Sequence, residues 1–368
     1  MSDTWKEPPP CEDAPQDPPS GGAGCTSEQA QDGLRAKLVE RAFNVNVKPA
    51  KPLPVLEFLG HPIATPGNLT VIQAAPKAGK SGVIGAIIAA LANGKLQSGA
   101  DTLGFLADNP DNKAVLHVDT EQSRYDHDRL VRIGLSRCKV EAPPLWFYSW
   151  SLADLTTAER RAAFELAMED ASALHGGILC VLIDGIADLM YEPNDSKESN
   201  EIVDLLRSLT IAHDCCIILV LHENPGSDVG KTRGHLGSQL ARKAETSLRL
   251  AKDAAGVTTM WVPQARHGDI PQAKGLCFAW SVSAGMHVTL GKAGELRGAA
   301  ERDNHAADAE RVYQDARTLS YADLVSRICE VCAIKERAAK SRVAKWAALG
   351  VVRKEPSGSY RVTPYSPK

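Results

Sequence analysis

Gln73-Ala74-Ala75-Pro76-Lys77-Ala78-Gly79-Lys80-Ser81-Gly82 joins two segments of opposite character. Before it runs Leu69-Thr70-Val71-Ile72, short, apolar and partly β-branched. After it runs Val83 to Asn93, small-residue and helix-forming. A strand, a loop carrying Gly-Lys-Ser and a helix together cradle a nucleoside triphosphate. Residues Ala75, Pro76, Lys77, Ala78, Gly79, Lys80, Ser81 and Gly82 form the expected phosphate-binding stretch. Its backbone N–H groups and the helix N-terminus hold the phosphates. Lys80 reaches the β- and γ-phosphates, and the Ser81 hydroxyl takes one Mg²⁺ position. ATP and Mg²⁺ are therefore the expected cofactors. Ala74 stands where the pattern G-x-x-x-x-G-K-[S/T] has its first Gly, a substitution expected to restrict a tight turn at positive φ.

Beyond this loop, apolar runs alternate with amphipathic ones. Lys113 to Asp119 reads as a buried strand, Ser123 to Ser136 as a helix, and Leu145 to Trp150 as a strand. Thr157 to Leu174 is a helix, Ile178 to Ile183 a strongly apolar strand, Ser196 to Ala212 a helix, and Cys216 to Leu221 a strand. This rhythm predicts an α/β fold with a doubly wound parallel sheet. From Thr246 the rhythm changes. Thr246 to Ala251, Thr258 to Val262, Ala279 to Val282 and Val288 to Leu290 follow closely and predict an antiparallel edge.

Polar residues fall at the strand ends. Asp184 ends the most apolar strand, where a carboxylate holds Mg²⁺ through water. Glu121 follows Asp119 at another strand end and is the candidate base for an attacking water. His222 ends the next strand, where a polar side chain senses the γ-phosphate. Arg266, within Gln264-Ala265-Arg266-His267-Gly268, points away from its own phosphate loop and suits a neighbour's nucleotide. Each also has a plainer reading, as a strand-end turn residue, a surface acid, an ordinary histidine or a solvated hairpin arginine.

Residues 1–28 hold six acids against Lys6 and are rich in Pro, Gly and Ser, which predicts a disordered tail. Residues 29–60 read as a helix and a Pro-rich connector, 61–292 as the ATPase domain, and 293–316 as a linker. Residues 317–368 form a small unit: helix Tyr321 to Val331, basic helix Lys335 to Leu349, and a hairpin over Val351 to Val362. Residues 321–368 hold ten bases against four acids, an asymmetry suited to nucleic acid. Nine scattered cysteines argue for reduced thiols, and Cys329 with Cys332 lacks a second pair for a metal site. No apolar run approaches the ~18 residues of a membrane span, so no membrane partner and a cytoplasmic location are expected.

Taken together, these motifs resemble the RecA-like ATPases, in particular replicative helicases of the DnaB and plasmid RepA type, over about residues 68–290. Asp119-Thr120-Glu121 resembles the Asp-x-Glu of RecA, which implies that Glu121 is the catalytic base. Gln264 to Gly268 is similar to a Lys-x-Arg-x-Gly segment, with Gln264 in place of Lys, and implies that Arg266 is a trans-acting finger. The resemblance extends to AAA-family ATPases of plasmids, phages and integrated elements. It implies a homo-oligomeric ring whose channel holds single-stranded DNA, with Lys231, Arg233 and His235 in a Gly-rich loop as DNA contacts. The C-terminal unit resembles a winged helix, with Arg337, Lys340, Ser341 and Lys345 on the outer face of its basic helix as duplex contacts. A protein-interaction module is its alternative use. Alternatives for the whole chain are an ATP-switched recombination mediator or helicase loader, and a DNA-binding regulator whose ATPase sets oligomeric state.

Overall fold

A computed structural model describes residues 27–93, 100–192, 194–223, 234–314 and 316–363. The chain divides into two units, residues 1–51 and 52–368. In the first unit, α1 spans Ser27–Glu40. The expected disordered tail, residues 1–28, lies outside the described residues except for Ser27 and Glu28, which belong to α1.

The second unit begins with β1 (Leu56–Phe58), β2 (His61–Ala64), β3 (Leu69–Ala74), α2 (Lys80–Asn93), β4 (Phe105–Ala107) and β5 (Ala114–Asp119). Then come α3 (Arg124–Arg137), β6 (Phe147–Ser151), α4 (Thr157–His175), β7 (Ile178–Asp184), α5 (Ser196–Ala212) and β8 (Cys216–His222). They are followed by α6 (Gly234–Lys243), β9 (Thr246–Lys252), β10 (Thr258–Ala265), β11 (Leu276–Ser281), β12 (Met286–Lys292) and α7 (Ala293–Tyr313). The C-terminal elements are β13 (Thr318–Leu319), α8 (Tyr321–Cys332), α9 (Glu336–Ala348), β14 (Val352–Lys354) and β15 (Tyr360–Val362).

A nine-stranded sheet runs in the order β12–β11–β10–β9–β3–β8–β7–β5–β6. The six strands from β9 to β6 are parallel, and β10, β11 and β12 are antiparallel. This is the expected α/β sheet with an antiparallel edge, with one correction. Residues 246–251, expected in that edge, form β9, which pairs parallel to β3. The helix α6 provides the crossover that a parallel strand needs.

The central strands are buried on both faces, which is why their sequences are almost continuously apolar. Along β8, Cys216, Ile218 and Val220 enter the core under α2 and α3, whereas Ile217, Leu219 and Leu221 enter the core under α4, α5 and α6. Helix α4 starts at a capping box, with Thr156 accepting from the Glu159 amide and Glu159 accepting from Thr156, and stops at left-handed Gly176.

Two segments differ from expectation. Residues 56–58, expected in a connector, form β1 at the centre of a β2–β1–β4 sheet, because Leu56 and Phe58 alternate into the main core. Residues 293–316, expected as a linker, are mostly α7. Ala306, Ala309, Val312 and Tyr313 recur at helical spacing and join the C-terminal core of Leu324, Ile328, Val343 and Trp346. Among the described residues, no helix is long and apolar enough to cross a membrane.

Candidate functional site

The phosphate loop leaves β3 at Ala74 and enters α2 at Lys80. Ala74 is fully buried and pairs with His222 and Leu250, so it remains in the strand. The left-handed residues of the loop are Lys77 (φ 63°) and Gly79 (φ 93°). The expected restriction at Ala74 does not arise, because the turn's positive φ falls elsewhere. A Cβ on Gly79 would stand 3.0 Å from the Phe278 ring, and Thr258 Oγ1 donates to the Ala78 carbonyl at 3.1 Å. The antiparallel edge therefore supports the loop from beneath.

The strand order lines up the polar ends. Strand β8 lies between β3 and β7, and β5 lies beyond β7. At about 4.8 Å per strand, the loop and the end of β5 are roughly 14 Å apart, and long side chains span that gap. Lys80 Nζ is 2.5 Å from His222 Nδ1 and 2.7 Å from Nε2, and His222 Nε2 is 3.1 Å from Glu121 Oε2. In the tautomer that carries its proton on Nε2, His222 donates to Glu121 and its Nδ1 accepts from Lys80. Burial lowers the pKa of the Lys80 ammonium, while Glu121 and Asp184 oppose that shift. The His222 hydrogen bond holds the Glu121 carboxyl below its usual range.

Asp184 lies beside this chain and is nearly inaccessible. Burial, with Asp119 and Glu121 nearby, pushes its pKa up to about 7. Gln122 bridges the neighbouring acids: its Nε2 donates to Asp119 Oδ2 at 2.9 Å and to Asp184 Oδ2 at 3.2 Å. Asp119 also accepts the Glu121 and Gln122 amides at 3.1 and 2.9 Å. Burial is the main influence on Asp119 and raises its pKa, while these amides lower it. The Thr120 amide donates to the Asp184 carbonyl, and its hydroxyl lies within hydrogen-bond reach of the Asp184 and Gly185 carbonyls and of Asp188, which ties the ends of β5 and β7 together. Gly185 allows this contact. Its φ is 99°, and a Cβ there would lie 2.4 Å from Thr120 Oγ1 and 2.7 Å from Glu121 Cγ.

The donor set suits Mg²⁺, which takes one or two protein oxygens and otherwise nucleotide and water oxygens. Asp184 and the exposed Ser81 offer such oxygens. Among the described residues, no group of three or more His, Cys, Asp or Glu is arranged to hold a metal ion.

Sequence reading missed a pocket of about 170 Å³ beside the start of α2, lined by Ser81, Gly82, Gln122, Arg129, Trp280 and His287. Trp280 is 46% exposed, with the Arg129 guanidinium 6.0 Å from its ring centroid and His287 edge-on at 5.4 Å. An exposed tryptophan at a strand end was the available signal, but its distance in sequence from the phosphate loop hid its relevance. Gln122 carried no sequence signal beyond its position next to Glu121.

Arg266 lies at the other end of the sheet. Ala265 pairs with Thr246, and Thr246 pairs with Thr70 near the start of β3. Its Nη1 donates to Asn68 Oδ1 at 3.1 Å. The length of β3 separates it from its own phosphate loop by about 20 Å. Next to it, buried Glu245 accepts from Thr65 and pairs with His267 at 3.0 Å, which fixes the turn. Lys231 and Arg233 lie outside the described residues, and His235 is exposed in the first turn of α6. Arg337, Lys340, Ser341 and Lys345 are exposed on α9, far along the chain from the strand ends. Lys340 pairs with Glu336 at 2.7 Å, and Lys345 pairs with Glu301 of α7.

A family model described as AAA domain matches residues 38–228. No curated protein matches the chain. Among solved structures, the crystal structure of the RadB recombinase is similar over 62% of this chain and 93% of that chain, at 18% identity and a TM-score of 0.39. The family match takes in the phosphate loop, Glu121, Asp184 and His222, and extends over more than half of the 368 residues. The chain belongs to the AAA domain family.

Proposed function

We propose that the protein is an ATP-hydrolysing, DNA-binding ATPase of RecA-like type, a ring-forming helicase or replication protein of a plasmid, phage or integrated element. The observation that carries this reading is the Lys80–His222–Glu121 chain across three strand ends, with Asp184 beside it. ATP bound at the loop supplies the phosphoryl group to be cleaved, and Mg²⁺ neutralises its charge. Lys80 and the loop amides hold the phosphates, and Ser81 and Asp184 hold the metal. Phosphate competes with His222 for the Lys80 ammonium. Once released from Lys80, His222 reorients Glu121, which takes the proton of the attacking water. Trp280 and Arg129 border the space for the nucleoside, and Arg266 of a second copy stabilises charge in the transition state.

The C-terminal order of helix, strand, two helices and a two-stranded hairpin supports a winged-helix reading. DNA contacts on α9 and in the loop around Lys231 to His235 belong to the same proposal. The test is ATP hydrolysis with and without single-stranded DNA. Lys80→Ala is expected to abolish turnover, and Glu121→Gln to keep nucleotide binding while slowing turnover at least ~100-fold. DNA-stimulated turnover with strand displacement supports the helicase. Slow, DNA-independent turnover replaces it with a switch that loads or mediates. Turnover that survives Lys80→Ala overturns the ATPase reading itself.

A further inference from the structure

We infer that the open face of the small C-terminal sheet, through Arg317, Arg353 and Arg361, binds the phosphate backbone of nucleic acid. This inference deepens the DNA-binding reading and rests on it.

The three strands pair in the order β13–β15–β14. Leu319 and Val352 are buried, so their neighbours Thr318 and Arg353 emerge on the opposite face. The register places Arg361 directly opposite both Arg353 and Thr318. Two arginines facing each other across an antiparallel pair repel, an arrangement that costs stability unless an anion lies between them. Arg317 adjoins this row, and the three arginines line a groove of about 620 Å³. Glu310 and Glu355 also line it. Among the described residues, none of the three arginines is in an ion pair with a carboxylate, whereas Arg311, Arg342, Lys340 and Lys345 all are.

That contrast decides between the two basic surfaces of this half of the chain. The cations of α9 are largely spent: Lys345 on Glu301, Arg342 on Asp308 at 3.0 Å, and Lys340 on Glu336. A ligand phosphate at α9 must compete with these acids. At the sheet face it meets guanidinium groups already close together, whose planar forks match phosphate oxygens. A run of phosphates also relieves the repulsion between Arg353 and Arg361.

The experiment uses the full chain and measures affinity for a fluorescent DNA duplex by anisotropy across a salt series. Three variants accompany the wild type: Arg353→Thr/Arg361→Thr, Arg317→Ala/Arg353→Thr/Arg361→Thr, and Lys340→Ala/Lys345→Ala. Losing three phosphate contacts makes the slope of log affinity against log salt shallower by about 2.7. Between about 50 and 200 mM salt the wild type then loses about 40-fold more affinity than the triple variant does. The α9 variant, whose lysines are already held by Glu336 and Glu301, is expected to change the slope by less than the triple variant does. An unchanged slope in the triple variant, or a larger change in the α9 variant than in the triple variant, overturns the assignment to the sheet face. Equal competition by polyglutamate of matched charge overturns the preference for phosphate. A wild type that binds no DNA overturns the DNA-binding reading instead. The double variant should melt no lower than wild type, because it removes a repulsion. A clear drop in its melting temperature refutes the argument from facing charges.

Discussion

Asp184→Asn separates stability from function at one atom. Asp184 is 4% exposed, and its carboxyl is pushed up to about 7 from an ordinary 3.8. Below pH 3.8 both the folded and unfolded states carry the proton, and the group is neutral in the balance. Between 3.8 and 7 the folded state binds more protons than the unfolded state, so stability falls as pH rises. The penalty amounts to about 4 kcal/mol at pH 8 and about 1.7 kcal/mol at pH 5. Asparagine has the same shape, carries no charge, and still accepts from Gln122. In urea titrations without nucleotide or Mg²⁺, Asp184→Asn should therefore be the more stable protein at pH 8, by up to about 4 kcal/mol, with that advantage shrinking by about 2 kcal/mol at pH 5. Adding MgATP should stabilise the wild type more than the variant, and turnover should be lost in the variant. A variant no more stable than wild type at pH 8, or an advantage that does not shrink at pH 5, refutes the burial argument.

Three other outcomes follow from the same strand ends. Gly185→Ala places a methyl group 2.4 Å from Thr120 Oγ1 at a φ of 99°. It should cost about 1–3 kcal/mol in urea unfolding and slow turnover by displacing Glu121. Ala74→Gly, which restores the usual phosphate-loop pattern, should leave nucleotide affinity unchanged in a titration and lower stability by about 0.5–1 kcal/mol, because residue 74 is strand and not turn. His117 is fully buried, bonded to Ser149 at 2.8 Å, and its pKa is lowered to about 3 by burial and by His127. Its contribution to stability is complete above pH 6.5 and is lost as pH falls from 6.5 toward 3, by at most about 5 kcal/mol. His117→Asn should flatten that part of the curve measured by chemical denaturation, even if the variant is less stable at every pH.

The phosphate loop was legible because strand, loop and helix are contiguous, and each has a local pattern. The strand-end positions of Glu121, Asp184 and His222 were legible for the same reason: apolar runs stop where the sheet meets solvent. Residues 293–316 misled because their charges and glycines mask the four inward positions Ala306, Ala309, Val312 and Tyr313, two of them alanines with little hydrophobic signal. Residues 246–251 misled because α6, which sets β9 parallel, is short and polar on much of its surface.

The phosphate loop, the alternating α/β layers and the set of polar residues that end the parallel strands are all written in the local pattern of the chain. These are local facts, since periodicity and turn chemistry depend on near neighbours. The order of those ends comes from long-range strand pairing. In sequence the ends come as β3, β5, β7 and β8; in space β8 enters between β3 and β7. That single long-range pairing puts His222 against Lys80 and within reach of Glu121. The same sheet carries Trp280 to the start of α2 and Arg266 to the opposite end. Strand pairing satisfies backbone hydrogen bonds between segments a hundred or more residues apart, and no local pattern records which strand is the partner.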